Sequence, residues 1–422
     1  MDRPYAQQHY LIDDLILWRH KIRAVQFAVL PPFTTRSNPL VVGDFVIASV
    51  FSPGIIYTVD RSTGTKRWRL RTDGLAGSAV IFTDETLYAH TNHTLYALDA
   101  ASGRVKWTFC PYGTQHEWIY STPTVHESRV FLGDRAGKFH CLNAKSGLST
   151  WTKQTSRSRN PDVNATALVH KNSVIVATNA GLAIAYEIVS GKPIWKTRLD
   201  GPSIRELCMF ESHVVVVTEQ SIYLLDPSDG KLHQRWNWRG RSIRVVVRAN
   251  KTLIAVTEIK NADGSNHKNS RYSNTRDIRG LRGNGILFER PVSEYIYGLR
   301  WDKGTGLVYE SRIGGFGILS AETGERLYNI SHKTDSLNPG IADVRENTIY
   351  LLADRTMIAL MKYGGGLPWY RQSALQAMCG VPLSQATMWE RCEATADAAL
   401  GIFLLLNRMA ADGEVMHTEE MA

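Results

Sequence analysis

Residues 97–107 read Ala-Leu-Asp-Ala-Ala-Ser-Gly-Arg-Val-Lys-Trp. An apolar strand ends at Asp99, a tight turn runs to Gly103, and a second strand follows and reaches Trp107. Glycine adopts the positive φ that such a turn requires, and an aspartate side chain accepts hydrogen bonds from the turn's backbone amides. A buried tryptophan hides roughly 150–250 Å² of surface, enough to wedge one structural unit against the next. The stretch therefore predicts two antiparallel strands, the second of which docks through its indole.

The same frame recurs along the chain: an acidic or polar residue, a glycine four residues later, and an aromatic residue four residues after that. Copies with this spacing are Asp60, Gly64 and Trp68; Asp99, Gly103 and Trp107; Asn143, Gly147 and Trp151; and Glu187, Gly191 and Trp195. A longer copy is Asp226, Gly230 and Trp236, and looser copies are Ser320, Gly324 and Tyr328, and Met361, Gly365 and Trp369. The five tryptophans of the closer copies lie 39, 44, 44 and 41 residues apart, a period typical of propeller blades. We assign these residues a structural role.

The repeat predicts an all-β fold, a β-propeller of seven four-stranded antiparallel blades, with eight blades as the alternative count. Residues 1–38 form an N-terminal segment, and its apolar stretch at 15–22 is expected to supply a strand that closes the ring, since closure leaves no free edge. The propeller is expected to span residues 39–371, with an insertion at 258–313 in blade six. Residues 372–422 are rich in Ala, Met, Glu and Leu and predict a short helical or disordered tail.

The frame, written Ala-x-Asp-x-x-Thr/Ser-Gly-x-x-x-Trp, resembles the tryptophan-docking repeat of the pyrroloquinoline quinone (PQQ)-type β-propellers over about residues 39–369. That superfamily includes quinoprotein dehydrogenases, the propeller lipoprotein of the outer-membrane β-barrel assembly machine, and repeat proteins without known activity. For a dehydrogenase, the resemblance implies PQQ in the central channel, a calcium or lanthanide ion, a catalytic aspartate and, in many members, two adjacent cysteines. The five cysteines of this chain include no adjacent pair. We therefore expect no cofactor, with PQQ and calcium as the unsupported alternative, and we assign no catalytic or metal-binding residue.

The frame breaks between Thr257 and Gly324, and function is expected there rather than in the repeat. Residues 261–285 are rich in Asn, Ser, Gly and Arg and predict a long surface loop. The stretch 260–290 holds seven basic residues against three acidic ones. The candidate partner-binding residues are Arg271, Arg276, Arg279 and Arg282. The sequence thus predicts a non-catalytic scaffold for a protein partner; the alternatives are a PQQ-dependent dehydrogenase and a periplasmic propeller like the outer-membrane assembly factor.

Composition and charge bear on the kind of partner and on the location of the protein. The net charge of +9 favours anionic partners in general, but the aromatic and basic residues at 236–241 fall on an expected packing strand, so nucleic acid is not the expected partner. We expect a monomer. The sequence contains no run of about 18 apolar residues that would span a membrane. Its first residues lack the pattern of an export signal, so the chain as written predicts a cytoplasmic protein, with a periplasmic location as the alternative if a leader is missing.

Overall fold

The computed structural model describes residues 16–21, 39–50, 54–73, 80–111, 121–203, 207–259, 276–292, 296–302, 306–311, 315–331, 343–345, 348–353 and 356–361. These residues form 32 β-strands, which are arranged in eight four-stranded antiparallel sheets. Within the same ranges, no helix is long and apolar enough to cross a membrane.

The sheets are numbered here by their place in the chain, and each comprises four strands with the following bounds. Sheet one contains β2 (Leu40–Val42), β3 (Phe45–Val50), β4 (Ile55–Asp60) and β5 (Lys66–Arg71); sheet two contains β6 (Ile81–Thr83), β7 (Thr86–His90), β8 (Leu95–Asp99) and β9 (Val105–Phe109). Sheet three contains β10 (Thr124–His126), β11 (Arg129–Gly133), β12 (Lys138–Asn143) and β13 (Ser149–Gln154); sheet four contains β14 (Leu168–His170), β15 (Ser173–Thr178), β16 (Leu182–Glu187) and β17 (Pro193–Arg198). Sheet five contains β18 (Cys208–Phe210), β19 (His213–Val217), β20 (Ser221–Leu225) and β21 (Leu232–Asn237); sheet six contains β22 (Arg241–Ala249), β23 (Thr252–Ile259), β24 (Arg276–Arg282) and β25 (Gly285–Val292). Sheet seven contains β26 (Ile296–Asp302), β27 (Gly306–Ser311), β28 (Gly315–Leu319) and β29 (Arg326–Ser331); sheet eight contains β30 (Asp343–Arg345), β31 (Thr348–Ala353), β32 (Thr356–Met361) and β1 (Ile16–Lys21).

Strand order within the sheets follows the chain, except in sheet eight. There the N-terminal strand β1 pairs antiparallel with β32, with Arg19 opposite Ile358. First strands of neighbouring sheets contact one another, namely β6 with β10, β10 with β14, and β30 with β2, which places them around the centre. The fourth strands lie at the outside, and several share one alternation, in which a single buried tryptophan sits among exposed residues.

Apolar side chains fill the joints between consecutive sheets. Ile56 of sheet one and Leu87 of sheet two are fully buried in one such joint, together with Trp68. The last sheet packs on the first in the same way, since Met357 and Tyr350 share a buried cluster with Val46. Burial of apolar surface on both faces of each sheet therefore holds the sheets in a ring.

The turn of the frame is built from local hydrogen bonds. Asp60 Oδ1 accepts bonds from the backbone amides of Ser62 and Thr63, both at 3.0 Å, and Gly64 has a φ of +69°. Trp68 then donates its indole N–H to the Ala100 carbonyl of the next sheet at 3.0 Å. The corresponding bonds at later joints run from Trp107 to Ala144, from Trp151 to Ile188 and from Trp195 to Pro227.

The number of sheets departs from the seven blades that the sequence analysis preferred and matches its alternative of eight. The insertion expected at 258–313 in blade six is divided between two sheets: β24 and β25 complete sheet six, whereas β26 and β27 open sheet seven. The turn at Gly324, which we had placed in blade six, joins β28 to β29 in sheet seven. The two strands that complete sheet six were missed because the turn between them is a short hairpin at Gly283 and the outer one carries Phe288 in place of the tryptophan. The predicted tail at 372–422 and the frame copy ending at Trp369 lie outside the described residues.

Candidate protein-binding site

Three of the candidate arginines lie in a strand, not in a loop. Arg276 and Arg279 belong to β24 and are 6% and 3% exposed, so the predicted surface loop at 261–285 is wrong for its last part. Arg282 ends the same strand and donates to the Lys251 carbonyl at 3.2 Å. Arg271 lies outside the described residues. The part that these arginines play in partner binding stays a prediction.

The buried arginines are held by carboxylates from neighbouring strands. Arg276 donates to Glu258 at 2.9 Å, and Arg279 donates to Asp277 at 3.1 Å and to Glu289 at 2.6 Å. The bond from Arg279 holds the pKa of Glu289 below its ordinary value. Because an unpaired charge is costly to bury, these contacts account for the burial of the arginines within sheet six.

A groove lies between sheets four and five, at the end of the sheets that carries the frame turns, and its volume is about 780 Å³. Its walls are the turn between β14 and β15, the turn between β18 and β19, and the two turns that precede β17 and β21. Trp195 ties the walls together, since its indole N–H bonds the Pro227 carbonyl at 2.9 Å. Thr197 adds a second tie to the Gly230 carbonyl at 2.6 Å. The docking contacts of the repeat thus give the groove a fixed frame.

The groove lining combines apolar and charged groups. Pro193, Ile194 and Met209 supply apolar surface, and the Ile194 side chain is half exposed. Lys171 and Lys192 stand among Glu187, Glu211 and Asp226. Hydrogen bonds from the side chain and the backbone amide of Ser228 lower the pKa of Asp226, which therefore stays charged at neutral pH. Such a mixture suits a partner that brings apolar side chains flanked by both signs of charge.

Exposed apolar side chains extend from the groove along the same end of the neighbouring sheets. Each lies within three residues of a frame glycine, and because the frame repeats, all of them occupy similar places on neighbouring sheets. We call this set the apolar rim: Val105 (40% exposed), Leu148 (71%), Val189 (58%), Ile194 (50%) and Leu232 (54%). Large apolar side chains aligned on a surface mark sites of protein interaction. The sequence analysis did not predict this surface; its signal is an apolar residue within three positions of each frame glycine from Gly103 to Gly230.

The described residues were also compared with the cofactor set that the resemblance implies. They hold no group of three or more His, Cys, Asp or Glu side chains that could bind a metal ion. The cysteines among them, Cys110, Cys141 and Cys208, form no disulfide with one another. The described part therefore presents no residue set that fits PQQ with calcium, and the absence of a cofactor stays a prediction.

A family model matches the chain over residues 13–174 and 156–265, and its description is outer membrane protein assembly factor BamB. Among solved structures, BamB from Moraxella catarrhalis is 17% identical, with a TM-score of 0.51 over 64% of this chain and 79% of that chain. Quinohemoprotein alcohol dehydrogenase from Comamonas testosteroni is 12% identical, with a TM-score of 0.60 over 85% and 78% of the two chains. The computationally designed protein Ika8 is 14% identical, with a TM-score of 0.61 over 78% and 96%. These likenesses show the propeller fold, and no curated protein matches the chain in sequence.

Proposed function

Because this chain belongs to the BamB family of PQQ-like propellers, we propose that it is a non-catalytic scaffold that binds a protein partner along the apolar rim. The observation that carries the proposal is the row of exposed apolar side chains on sheets two to five, which ends at the groove between sheets four and five. A propeller whose joints are already filled has no structural need for such side chains at its surface. A partner would remove them from water, at roughly 25 cal/mol per Å² of apolar area.

The groove favours a partner that inserts a short segment. Its walls are turns held by backbone and indole hydrogen bonds, so binding costs little conformational entropy in the groove itself. The apolar centre at Ile194 would accept an apolar side chain of the partner. Lys192 and Glu211 at its margins would pair with charges on either side, which sets orientation more than affinity.

Photocrosslinking in the native cells tests this proposal. A photoreactive amino acid in place of Ile194 is expected to give a discrete adduct with a partner, and Leu148→Asp in the same chain is expected to weaken it. The matched control places the photoreactive residue at Ile259, which is 39% exposed but ends β23 of sheet six, at the opposite end of the sheet from the turn at Gly283. Equal adducts from the two positions, or an adduct that Leu148→Asp leaves unchanged, would argue against the rim as the binding surface.

A quinoprotein dehydrogenase is the second candidate, since solved relatives of this fold include quinohemoprotein alcohol dehydrogenases. Purified protein supplied with PQQ and calcium should then reduce an electron acceptor when alcohol or sugar is added. Such activity would overturn the non-catalytic assignment. We expect none, and binding of PQQ is to be measured in the same samples by its absorbance.

The family description refers to the outer membrane. We therefore propose the periplasmic alternative over the cytoplasmic location that the chain as written predicts. Fractionation of cells that carry the native gene, followed by mapping of the mature N-terminus, tests this choice. Recovery of the unprocessed chain with cytoplasmic markers would refute it.

A further inference from the structure

The outer strand of sheet one carries an unusual run of cations. β5 reads Lys-Arg-Trp-Arg-Leu-Arg, and its four basic residues are all exposed. We call these four residues the basic strip: Lys66, Arg67, Arg69 and Arg71. On the neighbouring sheet eight, β1 carries the exposed Arg19.

The basic strip lies beside β1 of sheet eight in the ring. His20 of β1 bonds the Tyr57 hydroxyl of sheet one at 2.7 Å, and the two rings lie 5.2 Å apart. Arg61 bonds the hydroxyl of Tyr350 in sheet eight at 3.0 Å. β5 and β1 therefore border the same joint, between the last sheet and the first. Arg19 is the residue before His20, so its side chain lies on the face of β1 that points away from sheet one.

Most charges of the strip are not neutralised by the protein. Arg67 pairs with Asp60 at 2.5 Å, and the bonds that Asp60 also accepts from Ser62 keep its pKa below the ordinary range. Within the described part of the chain, no carboxylate pairs with Lys66, Arg69 or Arg71. Arg69 and Arg71 are alternate residues of one strand, so their side chains share a side at a spacing of roughly 6.6 Å. Trp68 and Leu70 occupy the other side and pack on sheet two.

The positions that match Arg69 and Arg71 on other sheets are mostly uncharged. They hold Thr108 and Cys110 on sheet two, and Thr152 and Gln154 on sheet three. Sheet four alone among these offers a matched basic pair, Lys196 and Arg198. The repeat itself therefore does not require cations at these places.

We propose that the basic strip binds the anionic headgroups of a lipid bilayer surface. Exposed cations on a convex rim attract such a surface at about 1 kcal/mol per residue close to it. Leu17 of β1 is 46% exposed beside Arg19, and an apolar side chain among cations suits the boundary between headgroups and acyl chains. Single-stranded nucleic acid is disfavoured, because the aromatic ring within β5 is not available for base stacking: Trp68 is buried and its indole bonds Ala100.

This inference goes beyond the proposed function and does not rest on it. In the order of the sheets around the ring, the basic strip borders the joint between sheets eight and one, which lies opposite the groove at sheets four and five. A protein held to a membrane by the strip would thus turn this groove away from the lipid. Either surface can fail its test while the other passes.

Vesicle flotation with the purified full chain tests the strip. Vesicles of phosphatidylcholine with about one third phosphatidylglycerol should bind the protein at 0.1 M salt, and phosphatidylcholine alone should not. The variant Arg69→Gln/Arg71→Gln is expected to bind about thirtyfold more weakly, which follows from the loss of two surface cations. The matched control Lys196→Gln/Arg198→Gln removes the same charge from sheet four and should change binding by less than about threefold.

Further outcomes separate lipid from other anions. Leu17→Ser should weaken vesicle binding but leave binding to polyglutamate and to a single-stranded oligonucleotide unchanged. Equal weakening by the two arginine and lysine double variants would show a net-charge effect and overturn the proposal. So would failure of the wild-type chain to bind phosphatidylglycerol vesicles, or a loss confined to polyglutamate or the oligonucleotide. Unchanged melting temperatures of the variants, whose substituted side chains are exposed, show that each is folded.

Discussion

Replacing Gly103 by alanine is expected to destabilise the joint between sheets one and two by about 2–5 kcal/mol. Gly103 has a φ of +72°, and a Cβ built there would lie 2.5 Å from Cε3 of Trp68. A non-glycine residue in this backbone region costs about 1–2 kcal/mol. Forcing a packed ring to move adds roughly 1–3 kcal/mol, because the indole is buried and its N–H is already bonded to Ala100.

Gly240→Ala is the matched control. Gly240 has a φ of +75°, and nothing lies within 4 Å of the Cβ that would be added. It should cost only the backbone strain, about 1–2 kcal/mol. The difference between the two variants therefore measures the fit of the indole against the turn.

Urea unfolding followed by tryptophan fluorescence and by circular dichroism measures both variants. A third variant, Gly103→Ala/Trp68→Leu, should recover part of the steric loss relative to the sum of the single changes, since the smaller side chain leaves room for the new methyl group. Equal destabilisation by Gly103→Ala and Gly240→Ala, together with additive behaviour in the double variant, would refute the reasoning. Gly103 would then be needed only for its positive φ and not for space beside the indole.

Three other changes probe different interactions. Trp151→Phe should lower the free energy of unfolding in urea by about 1–3 kcal/mol, because it leaves the Ile188 carbonyl without its indole donor. Trp236→Phe should lower it less, since the buried Trp236 N–H has no acceptor among the described residues. Similar losses in the two variants would contradict this reasoning. Glu258→Gln should lower the free energy of unfolding by about 3–5 kcal/mol, because it removes the charge that faces Arg276 and Arg244. Glu325→Gln, which changes an exposed ion pair, should lower it by less than about 1 kcal/mol. A small effect at Glu258 would show that the buried ion pairs are dispensable. Burial lowers the pKa of His90 to about 4. Below about pH 6.5 the unfolded chain therefore takes up a proton at this residue while the native state does not. The free energy of unfolding should then fall by up to about 1.4 kcal/mol per pH unit from pH 6.5 to 4. His90→Asn should flatten that part of the stability profile, and an unchanged slope would exclude His90 as its cause.

Sheets one to five could be predicted because their information is local. Each turn is specified by an acidic or polar side chain that caps amides two or three residues ahead, as Asp60 does for Ser62 and Thr63. The tryptophan that follows docks on the next unit along the chain, so the contact repeats with the sequence. Counting the frame was therefore enough to predict the fold.

Sheet six could not be predicted because its contacts are not local. Arg279 looks like a residue of a solvated loop, yet Asp277 and Glu289 neutralise it from its own strand and the next. Its outer strand docks through Phe288, which lies against Gly324 of sheet seven, so the expected tryptophan signal is missing. Pairing across strands decided both features.

The candidate site shows the same division. The residues that shape the groove, such as His170, Ile194, Glu211 and Pro227, come from four turns that adjoin only after the two sheets pack. None of these turns carries a signal of its own beyond the frame.

The sequence by itself determined the repeating unit and hence the propeller, because glycine, a capping polar residue and tryptophan act over a few residues. Only the tertiary structure decided that there are eight sheets among the described residues and that Arg276 and Arg279 are buried. It also decided which exposed side chains share a rim. Those outcomes depend on strand pairing and packing between distant segments, and their energy cannot be read from any single stretch of the chain.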